Sequence, residues 1–178
     1  MQNSIDVNNI SLKPATPDDK RKVFEWLTNS DLTKEMIGPP KYPDAKIPKW
    51  EEFNIDYADY YFDGSNPIHG QCFIIKLYEN EIGQINHNNI DLVNKIADLD
   101  IWLCDSKYTG KGFGTEAIKL MCDYLFERYS CETIILSPSK RNKNAIRAYE
   151  KVGFVITDME LDESSKDYCD NVVLIKRM

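Results

Sequence analysis

Gly110, Gly112 and Gly114 stand at every second position between a strand-like stretch and a helix-like one. This junction limits the possible folds more than any other feature of the chain. From Asp98 to Cys104 polar and apolar residues alternate, the period of a half-buried strand. A short polar turn follows, and from Thr115 the apolar residues recur at helical spacing. A strand, a glycine-rich turn and a helix start expose several backbone N–H groups to one anion, and the helix adds partial positive charge there. Glycine allows a phosphate to come close because no Cβ stands in the way. Thr109, Gly110, Lys111, Gly112, Phe113, Gly114 and Thr115 are therefore read as the site of a phosphate-bearing ligand.

The familiar nucleotide loops fit this turn poorly. A P-loop needs Ser or Thr after Gly-Lys, and here Gly112 follows Lys111. A dinucleotide-binding turn wants its third glycine one residue later and lies after the first strand of its domain. For a glycine triplet standing alone, a plain tight turn is the structural alternative.

The chain has 178 residues, enough for one domain with a full core. No apolar run approaches the length of a membrane span. The start, Met-Gln-Asn-Ser-Ile-Asp, carries neither a basic region nor an apolar segment, which points to the cytoplasm. A net charge of −7 disfavours nucleic acid as a partner and favours a cationic one. The five cysteines include no C-x-x-C pair and read as reduced thiols. His69 and His87 are too isolated for a metal cluster, so no metal site is expected.

Taken in order, Ile10–Lys13 reads as a strand, and Thr16-Pro-Asp-Asp opens a helix that ends near Asn29. Four prolines between Gly38 and Pro48 mark a loop. Trp50–Phe62 reads as one helix rich in acids and tyrosines. Acids beside aromatic faces suit a polycation, while a solvated helix face is the structural alternative. Gln71–Tyr78 and Ile82–His87 form a hairpin, with Asn88–Lys95 as the connection into Ala97–Cys104. A helix from Thr115 to Tyr129, a strand over Thr133–Leu136, a helix over Asn142–Val152 and two last strands, Phe154–Thr157 and Val172–Lys176, complete the pattern. The acidic loop Asp158–Asp170 joins those last two strands. A meander followed by strand-helix-strand-helix means a mixed α/β sheet in one domain over residues 1–178.

Two motifs carry a resemblance. Tyr-Thr-Gly-Lys-Gly-Phe-Gly-Thr-Glu-Ala resembles the acetyl-coenzyme A pyrophosphate loop of the GNAT superfamily of N-acetyltransferases. About thirty residues on, Asn142-Lys-Asn-Ala-Ile-Arg-Ala-Tyr-Glu-Lys-Val-Gly-Phe154 is similar to the superfamily's second signature. Together they cover roughly the C-terminal half of the chain. The resemblance implies a largely antiparallel mixed sheet, flanked by helices and splayed between its fourth and fifth strands, here Ala97–Cys104 and Thr133–Ser137. It implies acetyl-coenzyme A as cosubstrate, with Asn142, Asn144 and Ala145 on its pantetheine arm. Backbone N–H groups near Leu103 and Cys104 are the candidate donors to the thioester carbonyl. Tyr149 matches the tyrosine that serves as general acid, with a core tyrosine as the structural alternative.

Asp98, Asp100 and Trp102 share one face of an alternating strand, and Leu99, Ile101 and Leu103 the other. An acid inside an apolar strand is costly unless it meets a partner, and an incoming ammonium is such a partner. An edge-strand acid facing solvent is the alternative. Asp100 lies nine residues before Thr109, a spacing that resembles aminoglycoside 6′-N-acetyltransferases, as does Trp-Leu-Thr-Asn at Trp26. That likeness implies that Asp100 binds the reacting amine, with Trp102 and Ser137 beside it. Thr109 stands where many superfamily members carry Arg or Gln. Ser137-Pro138 stands where aminoglycoside enzymes often carry Asp-Pro, so the acid that faces the antibiotic there is missing. The expected protein is a monomer or homodimer that acetylates a primary amine of a small, polyamine-like cation, with an aminoglycoside among the candidates. Acetylation of a protein N-terminus and a catalytically silent acyl-coenzyme A-binding module are the rivals.

Overall fold

The structure is a computed structural model that describes residues 9–162 and 166–178. The N-terminal hexapeptide and three residues of the acidic loop lie outside the described residues. Seven strands form one sheet in the order β1-β2-β3-β4-β5-β7-β6. They are β1 (Ile10–Pro14), β2 (Gly70–Leu77), β3 (Asn80–Asp91), β4 (Ile96–Leu103), β5 (Thr133–Leu136), β6 (Val155–Thr157) and β7 (Val173–Arg177). Every neighbouring pair is antiparallel except β4 and β5. That parallel pair holds only Ile96↔Thr133, Ala97↔Ile134 and Asp98↔Ile135. Past Asp98 the two strands part, which is the splay that the resemblance implies.

The alternation along the strands divides the apolar residues between two faces. On one face Phe73, Ile75, Ile85, Leu99, Ile134 and Leu174 pack with α5 (Phe113–Tyr129) and α6 (Lys143–Val152). On the other, Cys72 and Ile74 pack with Val23, Phe24, Phe53 and Phe62. These last four come from α1 (Lys20–Asn29), α3 (Trp50–Asp56) and α4 (Tyr60–Asp63). The short α2 (Thr33–Met36) leads into the proline loop, whose Tyr42 and Ala45 cluster with Ile37 and Trp102.

Two readings need correction. Trp50–Phe62 is not one helix. It breaks at Tyr57, which has φ −99° and ψ 69°, into α3 and α4. No glycine or proline marks this break; packing imposes it. Tyr57 stacks on Phe53 with ring centroids 4.6 Å apart, Asp59 pairs with Lys20 at 2.7 Å, and α4 packs on β2. The second correction concerns Asn88–Lys95, of which Asn88–Asp91 continues β3. The turn is confined to Leu92–Lys95 and is capped by the Asp91 carboxylate, which accepts from the N–H groups of Val93 and Asn94. The polar run reads as a loop because its side chains face a cavity instead of a core.

Most remaining elements lie within two residues of their expected bounds; α5 begins at Phe113, ahead of Thr115, and the helix start expected at Thr16–Asp19 is a 3₁₀ turn over Pro17–Asp19 that leads into α1. Gly153 closes α6 with φ 98°, a left-handed conformation that suits glycine. The five cysteines are free thiols. Among the described residues no helix is long and apolar enough to cross a membrane.

His87 is fully buried on the α5 side of β3, among Phe73, Tyr124 and Tyr129, and neither ring nitrogen has a partner. Burial lowers its pKa from 6.5 to about 4. The folded state therefore disfavours the imidazolium, and stability present above pH 6.5 is lost as pH falls toward 4. The full effect is about 3 kcal/mol. H87L should show a flatter stability profile than the parent across this window in urea titrations. Parallel profiles would mean that His87 does not govern this acid response.

Candidate active site

β4 carries the centre of the site. Cys104 N–H donates to Ile82 O at 2.9 Å, and the register with β3 continues through Trp102↔Gln84, Asp100↔Asn86 and Asp98↔Asn88. The alternate residues therefore turn their N–H groups away from β3. Past the last β4–β5 pair, those of Ile101 and Leu103 face the gap. This corrects one sequence-based assignment. Cys104 lies near the gap, but its N–H is already bonded and is not a free donor; Leu103 keeps that place, and Ile101 joins it.

The glycine turn follows the short 3₁₀ segment Ser106–Tyr108. Gly110 and Gly112 adopt φ of 69° and 87°, which side chains disfavour. Gly112 is the N-cap of α5, and Glu116 N–H donates back to its carbonyl at 3.0 Å. The N–H groups of Phe113, Gly114 and Thr115 have no intrahelical acceptor and point out of the helix start. Lys111 is exposed beside them. Thr109 gives its hydroxyl proton to Ser106 O at 2.7 Å. Asn142 caps α6 by accepting from Ala145 N–H at 3.1 Å, and Asn144 is exposed on the first turn. A turn with two left-handed glycines ahead of an open, 17-residue helix, close to a strand with outward N–H groups, fits a diphosphate on a pantetheine arm.

Two cavities, of about 380 and 340 Å³, meet at Asp100. The first is lined by Trp102, Ser137, Asn142 and Tyr149, together with Asp44, Lys46 and Tyr168. The second runs past Tyr57, Tyr61, Asn86, Asn88 and Asp98. Asp56, Ser137 and Asp167 border both. The fold thus joins Asp100, Trp102, Ser137 and Tyr149 in one trench. Trp102 forms an apolar wall, with its indole N–H bonded to Trp26 O at 3.0 Å. Ser137 Oγ accepts from Asn171 at 2.8 Å.

Asp100 opens onto the trench but is ringed by protein. That burial raises its pKa, while hydrogen bonds from Asn88 and Asn86 lower it in part. Asp98 and Asp167 are each raised to about 6, by burial first and then by the charge of Asp100. Tyr149 is 8% exposed, and its phenol is pushed well above 10, again by burial and then by Asp100. It therefore stays a protonated hydrogen-bond donor. Among the described residues, Asp56, Asp98, Asp100 and Asp167 form no salt bridge with a Lys or Arg. Asp44 differs: Arg141 grips it at 2.7 and 2.8 Å and Asp170 at 2.9 Å, and so ties the proline loop to the segment before β7. Asp44, Cys169 and Asp170 lie close enough together to suit a metal, but this guanidinium already occupies both carboxylates.

The sequence profile of the acetyltransferase (GNAT) domain matches residues 9–155. The chain belongs to the GNAT acetyltransferase family. It is 26% identical over 152 residues to the spermidine N(1)-acetyltransferase of Escherichia coli (strain K12), covering 84% of this chain and 74% of that protein. Among solved structures, AAC(6′)-Ib in complex with ribostamycin and coenzyme A superposes with a TM-score of 0.75 at 20% identity, covering 95% of this chain and 93% of that one. The spermidine N-acetyltransferase of Vibrio cholerae with coenzyme A and spermine gives 0.72 at 19% identity, over 96% of both chains. The protein is thus a GNAT N-acetyltransferase, with acetyl-coenzyme A as cosubstrate.

Asp98, Asp167, Asn86 and Asn88 carry no site reading in the sequence, whereas Asp56, Tyr57 and Tyr61 belong to the acid- and tyrosine-rich stretch that suits a polycation. Asn86 and Asn88 did carry a signal: with Gln84 they place three amides at alternate positions of one strand.

G112A should lower coenzyme A affinity about tenfold in calorimetry, because a Cβ in the left-handed region costs ~1–2 kcal/mol. G114A should stay within about twofold, since a Cβ there meets Ile101 at an ordinary 3.7 Å. Equal affinities for both variants and the parent would remove the turn from the cofactor site.

Proposed function

We propose that this GNAT enzyme acetylates a primary amine of a small polycation, with a linear polyamine of the spermidine class as the leading acceptor. The observation that carries this reading is the trench itself: four carboxylates, without a Lys or Arg partner among the described residues, surround the point where β4 and β5 part. Such a cluster is costly until positive charge enters it. Tyr57 and Tyr61 add aromatic faces of the kind that attract ammonium groups. The named spermidine acetyltransferase relative agrees with this chemistry. The two arms of the trench also suit a branched polycation such as an aminoglycoside, although Ser137 supplies no charge for it.

The residues divide the work. Thr109–Thr115 hold the diphosphate, and Asn142, Asn144 and Ala145 flank the pantetheine arm. When bound, acetyl-coenzyme A supplies an activated thioester. The N–H groups of Ile101 and Leu103 are placed to meet a carbonyl oxygen as charge develops on it. Asp100 holds the acceptor ammonium. Direct proton abstraction by an ordinary aspartate is uphill by ~6.5 pKa units, ~9 kcal/mol, so the proton leaves through water in the open trench. Tyr149 donates a hydrogen bond to the departing sulfur. A phenol near ~10 is a weaker acid than a thiol near ~8.5, and burial widens that difference.

Release of free thiol, measured against spermidine, spermine, aminoglycosides and peptide N-termini, tests the reading. Polyamines should turn over fastest, and activity confined to peptides would overturn the acceptor assignment. D100A should lower acceptor kcat/KM by ~10²-fold with coenzyme A affinity unchanged. Y149F should lower kcat by ~10-fold without weakening coenzyme A binding. Acceptor kcat/KM should rise as pH passes 6, where Asp98 and Asp167 lose their protons and begin to attract the cation.

A further inference from the structure

Asp100 is held at one of its two oxygens. Asn88 Nδ2 donates to Asp100 Oδ2 at 2.7 Å, and Asn86 Nδ2 approaches the same oxygen at 3.5 Å. Among the described residues, Asp100 Oδ1 accepts no hydrogen bond from protein. The donors to Oδ2 are themselves oriented from behind. Asn88 Oδ1 accepts from Tyr61 Oη at 2.7 Å and from Asn86 Nδ2 at 2.8 Å. Tyr57 Oη approaches Asn86 Oδ1 at 3.5 Å.

Each link has one chemically sensible direction. With two donors on Asn88 Oδ1, the amide must turn its NH2 toward Asp100. A flipped Asn88 would set two oxygens against each other and leave both donors unmet. The chain from Tyr61 through Asn88 therefore ends on an accepting oxygen of Asp100, and such a bond is stronger to the carboxylate than to the neutral acid. It works against burial, which favours the neutral acid. Tyr61, Asn88 and Asp100 come from α4, β3 and β4, so the relay also fixes the carboxylate plane relative to the sheet.

We infer that Asn88, oriented by Tyr61, is a positioning residue that fixes the plane of the Asp100 carboxyl group and presents its free Oδ1 to a single acceptor N–H. This rests on the reading of Asp100 as the holder of the acceptor amine. Asn88 acts through Asp100 and need not touch the acceptor. A mobile Asp100 would still bind a cation, but less tightly and in several poses. The loss should therefore appear in acceptor KM more than in kcat.

A double-mutant cycle in the full-length enzyme tests this, with spermidine as the probe. N88A should raise acceptor KM by about tenfold or more, as expected for a lost bond to a charged group, and leave the coenzyme A Kd unchanged. Y61F should shift KM in the same direction by less, because Asn86 still orients Asn88. In a D100N background both changes should shrink to within about twofold, since the group they act through is no longer a carboxylate. An effect of equal size in both backgrounds would make Asn88 a structural residue and overturn the inference. So would an unchanged KM in N88A, and if N88A does not fold, the Tyr61 cycle decides by the same criteria. An unchanged KM in D100N alone would refute the underlying assignment of Asp100, and the relay's role with it.

Discussion

The short pairing of β4 with β5 is the constraint on which the rest depends. Three residue pairs hold the strands together, and then the ladder ends. An interrupted ladder inside a sheet leaves backbone N–H groups without partners, a state that buried structure tolerates only where something else binds them. Here the interruption creates the trench, aims the N–H groups of Ile101 and Leu103 into it, and lets Asp100 reach open space from the middle of a seven-stranded sheet. β3 stays paired with β4 from Gly83 to Asn88, beside the opening, so the opening does not loosen the core.

The trench gathers negative charge that the fold leaves uncompensated. Elsewhere acids meet cations: Asp19 and Glu81 share Lys22, Asp59 takes Lys20, and Arg141 binds Asp44 and Asp170. Around Asp100 no such partner is present among the described residues, and burial first, then the charge of Asp100, raises the pKa values of Asp98 and Asp167. A site of this kind sacrifices stability in the empty state and recovers it when a cation enters. Arg141 has a different part, pinning two loops that wall the trench while its own charge is absorbed by their carboxylates.

Most of the fold was legible in the residues because the core obeys simple periods. Leu99, Ile101 and Leu103 alternate with Asp98, Asp100 and Trp102, and the structure places the two sets on opposite faces as that period requires. The misread segments are those where the cavity replaces the core. Asn88 and Asn89 resemble a loop in composition, yet they lie on β3 and line the second cavity. The helix break at Tyr57 has no local mark either, because ring stacking and the Lys20–Asp59 pair impose it from a distance.

By itself the sequence determined the glycine turn ahead of α5, the capped helices and the face on which Asp100 stands. Each of these follows from the conformational range of glycine, from capping side chains or from the two-residue period of a strand, all of which are local. Only the tertiary structure decided that Asp56, Asp98, Asp100 and Asp167 share one space, that Cys104 N–H is already bonded, and that Asn88 and Tyr61 hold one oxygen of Asp100. These facts join residues dozens of positions apart. They depend on strand register and on how the helices bend over the sheet, and local preferences along the chain do not encode either.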